Sequence, residues 1–382
     1  MKAPAMHHHR TLSLTASALL LVACGDDGGT ADSTTDVATT EAGTTAATGD
    51  APSTGDVPTT TDGPDGTTAD DDTTAAGTTG EPVANPRVLV AFDPQQFQLP
   101  EGLDVRDGVG YAGLVTGQVF SFDLTTGEAT AHGGVVGIPP DNTAIMTGLI
   151  AGPDGAVYVA VDVFAPQTLV SGIYKIPAGG GAAALFASDP GLGFPNGFAF
   201  EPDGDLLVTD SFGGGVFHVA IADGAVTSWK ADPLLAPNPD VCGLPSQFHL
   251  GANGIAHAGD RVYVTNSDQA SILEIAVLPD GSAGALTPFL ASDCGGLSGA
   301  DGLVIAAGSG DLLVPINYLQ RIVRVGADKQ VSVIAEGGLL QSPATLAFTP
   351  GGDAVLIANA AFEASTMDPA NAHPAILELR LE

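Results

Sequence analysis

From Arg87 onward, short apolar runs alternate with polar punctuation in a repeating order. Runs such as "AVYVAV" (156–161), "DLLVTD" (205–210), "RVYVTN" (261–266), "DLLVPI" (311–316) and "AVLIAN" (354–359) are rich in branched aliphatic side chains, as half-buried or buried strands are. A turn such as Pro153-Asp154-Gly155 or Pro202-Asp203-Gly204 precedes them. After a loop come second runs, "GIYKI", "GVFHV", "SILEI" and "RIVRV", and after another hairpin turn "AALFAS", "AVTSWK", "LTPFLAS" and "VSVIAE". No segment of helical length carries a 3.6-residue apolar period. The pattern predicts units of antiparallel sheet with four short strands each.

An x-Gly-apolar step opens the first strand of each unit. It falls at Glu101, Thr147, Asn196, Asn253 and Asp301, and at Ala344 in "PATLAF", where Thr replaces Gly. The starts recur every 43 to 57 residues, the period of propeller blades or of helical repeats, and the strand-rich interiors select the blades. The fold expected is all-β, a six-bladed β-propeller. "RVLVAF" (87–92) reads as a fourth strand without its blade and "PAILELRL" (374–381) as a third strand without its fourth. Pairing them closes the ring and removes two exposed edges.

The chain ahead of the propeller has a different character. Residues 1–24 combine Lys2 and Arg10 with an apolar run ending in Leu21-Val22-Ala23-Cys24, a secretory signal too short to span a membrane. Its ending resembles a bacterial lipoprotein box, which implies lipidation at Cys24 and export to a periplasmic or cell-surface position on a bacterial membrane. Residues 25–86 are rich in Thr, Asp, Gly and Ala, with no basic and no aromatic side chain. Such a stretch buries too little apolar surface to offset its ordering entropy and reads as a disordered tether. Asp70-Asp71-Asp72 belongs to that tether, since nothing nearby fixes a ligand geometry. The propeller occupies 87–382.

The whole chain has a formal net charge of −33, and the propeller alone holds 31 acids against nine bases. That balance excludes nucleic acid as a partner and suits a bound cation.

In a propeller the first strand of each blade lines the axis, so the six opening positions converge at one rim. Here they offer Glu101, Asn196, Asn253 and Asp301, with Thr147 and Ala344 between them. Two carboxylates and two amide carbonyls make an all-oxygen site, which is calcium chemistry, with another divalent cation as the alternative. The absence of sulfur and imidazole speaks against zinc or copper. Without an ion, the facing carboxylates are costly.

"PEGL" at Pro100, "PNGFAFEPDG" at Pro195, "ANGIA" at Ala252 and "ADGL" at Ala300 resemble the senescence-marker-protein/gluconolactonase (regucalcin-like) family, itself similar to diisopropyl fluorophosphatase and the paraoxonases. The resemblance covers about residues 87–382. It implies a six-bladed propeller holding calcium through a Glu, two Asn and an Asp from blades one, three, four and five. Glu101, Asn196, Asn253 and Asp301 match that order. Gluconolactonase-like members often carry an arginine just before the third-blade Asn, in contact with a sugar acid. Phe194 and Pro195 stand there instead, so a sugar-acid substrate is not implied.

The reaction expected is hydrolysis of a lactone or related small ester. The resemblance gives Asp301 as base or water-orienting carboxylate, and Asn196 as a ligand that also binds substrate. Phe164, Phe212, Tyr318 and Phe362 each follow a second strand and either form an apolar funnel or cover blade edges. His249, four residues before Asn253, is a further substrate contact, whereas His257 is expected between blades. No Gly-x-Ser-x-Gly elbow is present. Cys242 and Cys294 occupy equivalent loops before the inner strands of blades four and five, which predicts a disulfide, with two unpaired thiols as the alternative. The rival function is a non-enzymatic propeller serving as a tethered binding or scaffold module.

Overall fold

Six antiparallel sheets follow one another along the chain, each running outward from an inner strand. The computed structural model describes residues 85–381, apart from 142, 166, 167, 245 and 247. The signal, its Cys24 and the tether as far as residue 84 lie outside the described residues. The inner strands are Pro100–Arg106, Ala144–Ala151, Pro195–Phe200, Ala252–Ala258, the short Val304–Ile305 and Pro343–Phe348. The sixth sheet is completed by the first strand of the chain: Arg87–Ala91 pairs antiparallel with Ala375–Arg380. Phe92 N–H donates to Pro374 O (2.9 Å), and Arg87 forms an ion pair with Glu378. This is the expected six-bladed propeller with its ring closed by the first strand.

The apolar side chains collect into six clusters, one at each interface between neighbouring blades. Val119 meets Met146 and Val159 between blades one and two, and Tyr158 meets Val208 between two and three. Leu207 meets Val262, and Ile272 meets Leu312, at the next two interfaces. Leu313 packs with Val355, and Leu356 with Leu103 across the closure. A fully buried aliphatic side chain contributes about 2 kcal/mol. The ring is therefore held by blade-on-blade burial around its whole circumference.

Two features depart from the expected pattern. Blade one has five strands, because Gly181–Ala182 from the last hairpin of blade two adds in parallel to Ala129–Gly134. The rim loops also contain two short helices, Pro239–Cys242 and Phe362–Met367.

The x-Gly steps share one local geometry. Each of the five longer inner strands shifts register there, as between Pro195↔Asp210 and Phe198↔Val208 or Ala252↔Asn266 and Ile255↔Val264. The same shift occurs in blades one, two and six. In blade five it lies between the Ala300↔Ile316 bridge and Val304↔Leu313. Such bulges insert one residue and re-aim the side chain beside it. The glycines are required for space, since none of Gly102, Gly148, Gly197, Gly254 and Gly302 has a positive φ. A Cβ at Gly197 would lie 2.5 Å from Asn253 O, and one at Gly254 2.5 Å from Asp301 O. Each glycine thus lets its blade approach the backbone of the next blade's axial residue.

Candidate metal centre

The bulge places Glu101, Thr147, Asn196, Asn253, Asp301 and Ala344 at equivalent buried positions, with a glycine following it in the first five blades. A second tier of residues, one past the bulge-paired position on the neighbouring strand, supports four of them. Asn196 Nδ2 donates to Ser211 Oγ (3.3 Å), and Asn253 Nδ2 to Ser267 Oγ (3.0 Å). Asn317 Nδ2 donates to Asp301 Oδ2 (3.2 Å), and Thr147 Oγ1 lies 2.9 Å from Asp162 Oδ2. Ser211 and Ser267 donate onward to Ala252 O and Ala300 O, both at 2.7 Å, tying each blade to the next. With one N–H of each amide donated to serine, the two asparagines orient their Oδ1 atoms as acceptors for a ligand.

Ser211, Ser267, Asn317 and Asp162 were not singled out by the sequence reading. They stand at one offset in the second strands, in "VTDS", "VTNS", "PIN" and "AVD", so the signal existed as a second aligned column. In blade one that column holds Val115, and in blade six Ala360. Glu101 therefore receives no polar partner from its own blade, and its Oε2 is buried with no hydrogen bond.

Electrostatics follow from that burial. Desolvation raises Asp301 to about 7, opposed by hydrogen bonds from Asn317 and Asn253. Glu101 is held well above the ordinary carboxylate range by burial first and then by the charges of Asp301 and Asp162. Asp162 is likewise raised by burial, with Thr147 working against the shift and Asp210 adding to it.

Among the described residues no three His, Cys, Asp or Glu side chains form a metal cluster by themselves. An ion here depends on the two amide oxygens as well as on the carboxylates. The donor set fits a hard cation: an orphaned carboxylate oxygen, two oriented amides and a second buried carboxylate. Behind it, a cavity of about 360 Å³ is lined by Leu149, Phe198, Ile255, Leu303 and Leu346, with Asn196 and Asn253 also on its wall. His257, expected between blades, lines this cavity and is half-buried.

The rim loops bring together aromatic rings and polar side chains. Phe194 and Phe212 lie 4.5 Å apart between centroids, Phe164 and Phe248 5.5 Å, and the Phe212 and Phe248 rings are stacked at 6.4 Å. These four rings form one aromatic wall, to which Phe212 and Phe248 contribute partly exposed faces. Phe362 instead opens the short helix of the blade-six loop. Tyr318 stands on blade five, hydrogen-bonded to Ser246 and within the field of Asp268, Asp301 and Glu363. His249 is partly exposed, with Nδ1 3.3 Å from Oδ2 of the buried Asp268. Asp268 was missed in the sequence, although it occupies the blade-four equivalent of Phe212 and Tyr318. Cys242 and Cys294 are disulfide-bonded, with Cα atoms 5.4 Å apart.

No protein-family model matches the sequence, and no curated protein is similar to it. Solved structures do resemble it. A calcium-binding regucalcin from Agrobacterium tumefaciens is 19% identical with a TM-score of 0.54, over 78% of this chain and 93% of that one. A gluconolactonase from Xanthomonas campestris is 16% identical with a TM-score of 0.55, over 78% and 90%. A luciferin-regenerating enzyme is 15% identical with a TM-score of 0.57, over 78% and 96%. At these identities the likeness is one of architecture: the chain has the six-bladed β-propeller fold of the regucalcin- and gluconolactonase-like structures.

Proposed function

We propose that the protein is an exported, calcium-dependent hydrolase of a hydrophobic lactone or related ester, tethered to a bacterial membrane through a lipid on Cys24. The observation that carries this reading is the set of buried oxygens at the axial bulges, above all the unpartnered Oε2 of Glu101. Glu101, Asn196, Asn253 and Asp301 would hold the ion. When bound, calcium would polarise the ester carbonyl and offset the charge that develops on its oxygen. Likeness in fold to a calcium-binding regucalcin and to a gluconolactonase supports the same reading.

The remaining work falls to the chain itself. Asp301 is the carboxylate placed to orient an attacking water and accept its proton, as the family resemblance implies. Asn317 fixes the orientation of its Oδ2. Asn196, two residues after Phe194, would orient the substrate through its amide, as the family resemblance implies. Phe194 stands where sugar-acid hydrolases of the resembling family often place a cation, and it packs on Phe212. An apolar acyl chain or ring therefore suits this rim better than a sugar acid. Tyr318 and the His249–Asp268 pair supply polar contacts in the same rim loops.

A panel of lactones and aryl esters, run with chelator and with added calcium, tests the proposal. Hydrolysis of apolar lactones that stops with chelator and returns with calcium is the expected result. Saturable calcium uptake without hydrolysis of any ester would favour the non-enzymatic scaffold.

A further inference from the structure

In blades three, four and five the rim turn after the second strand begins with the residue that supports the axial side chain: Ser211, Ser267 and Asn317. The next residue in each turn is Phe212, Asp268 or Tyr318. Phe212 and Tyr318 are 40% and 44% exposed, whereas Asp268 is 2% exposed. What covers Asp268 is the chain entering blade four. Asp268 N–H donates to Leu250 O (2.9 Å), and His249 Nδ1 lies 3.3 Å from Asp268 Oδ2. The residues before His249 reach the two flanking turns: Phe248 stacks on Phe212, and Ser246 is hydrogen-bonded to Tyr318. His249 is thereby laid over the turn whose first residue, Ser267, orients Asn253.

Among the described residues, neither His249 Nδ1 nor Asp268 Oδ2 has another hydrogen-bond partner. Burial raises the Asp268 carboxyl, and the charge of His249 is the first influence opposing that rise. A buried carboxylate in this position fixes a proton on Nδ1 and stabilises the imidazolium. Nε2 is then the nitrogen left to exchange a proton, on a side chain that is 38% exposed. A hydrolase whose carboxylate takes the proton of water still needs a donor for the departing oxygen. The axial carboxylates Glu101 and Asp301 are already assigned to the ion and the water.

We propose that His249, held by Asp268, is the general acid of the reaction and gives its Nε2 proton to the leaving oxygen of the lactone or ester. This rests on the hydrolase reading above and adds a proton donor to it. Water adds to the carbonyl carbon and yields a proton to Asp301. The bond from that carbon to the leaving oxygen then breaks, its electron pair goes to the oxygen, and the oxygen takes the proton from Nε2. Asp301 releases a proton to solvent and His249 takes one up, so the net change is ester plus water to acid plus alcohol. His249 is the catalytic residue and Asp268 a positioning residue.

The test compares two substrates of matched acyl length in excess Ca²⁺: an aliphatic lactone, whose leaving alkoxide is strongly basic, and a 4-nitrophenyl ester, whose leaving phenolate is not. The full chain is measured as wild type, His249→Gln, Asp268→Asn and the double variant. We expect His249→Gln to lower kcat on the lactone by about 100-fold or more and on the nitrophenyl ester by less than about tenfold. Its Ca²⁺ affinity by calorimetry should stay within about twofold of wild type. Asp268→Asn should lower kcat on the lactone, and the double variant should be no slower than His249→Gln, as for residues acting as one unit. Equal losses on the two substrates, or losses that multiply in the double variant, would overturn the proposal and leave the hydrolase reading intact. Ca²⁺ uptake by the wild type without hydrolysis of either substrate would remove both. Should Asp268→Asn fail to fold, the comparison of leaving groups in His249→Gln decides by itself.

Discussion

A Cβ placed on Gly148 would lie 1.9 Å from the carbonyl oxygen of Asn196. Gly148 belongs to blade two and Asn196 is the axial residue of blade three, so this contact sets how closely the two inner strands approach. Gly148→Ala must push them apart at the site where the oxygens converge. Overpacking against backbone of this kind costs about 3 kcal/mol, the upper end of the usual range. The expected outcome is a lower denaturation midpoint with loss of calcium affinity, measured by chemical unfolding and titration. A neutral Gly148→Ala would mean the glycine serves no spacing role.

The aromatic wall makes a prediction about selectivity. Phe212 stacks with Phe248 and packs 4.5 Å from Phe194, and its face is 40% exposed. Phe212→Ala should raise KM about tenfold for a long-chain lactone, since losing one ring contact forfeits roughly 1–2 kcal/mol. Hydrolysis of an acetate ester should change little. Equal effects on both substrates would show that the wall does not contact the acyl chain.

Ion-free stability should depend on pH in an unusual sense. Burial raises Asp301 to about 7 and holds Glu101 and Asp162 well above the ordinary carboxylate range. Such groups bind protons more tightly in the folded chain, so their stabilisation is complete below the unfolded pKa and is lost as pH rises through the folded one. In chelator, the thermal midpoint should fall from about pH 5 to about pH 8. In excess calcium it should rise over the same window, because the ion competes with those protons. A flat profile in chelator would contradict the burial of these carboxylates.

The Cys242–Cys294 bridge closes a separation of 52 residues across the loops leading into blades four and five, worth about 4 kcal/mol by chain entropy alone. Reduction should lower the unfolding midpoint and speed proteolysis within 238–250 and 291–299. Unchanged stability in reductant would show that the rim loops hold without it.

Much of the architecture was legible because turns and strands punctuate the sequence in phase. Asp154-Gly155 and Asp203-Gly204 mark hairpins at corresponding points, and the orphan strands at 87–92 and 374–381 announced their own pairing. The axial column was legible because the same glycine recurs after it. Asp162 was not, because a second-strand residue is matched to the axis by pairing register, and a bulge shifts that register by one residue. Asp268 was hidden for another reason: its partner His249 lies across a loop, where no periodicity connects them. The extra strand at Gly181–Ala182 is two residues long and pairs with a neighbouring blade, so local pattern carries no trace of it.

The most direct test of the central claim is a crystal structure of the protein grown with calcium, with the ion located by its anomalous signal. One ion is expected on the propeller axis, bound by oxygens of Glu101, Asn196, Asn253 and Asp301. An axis without an ion at saturating calcium, or an ion bound elsewhere with these four oxygens turned away, would contradict it.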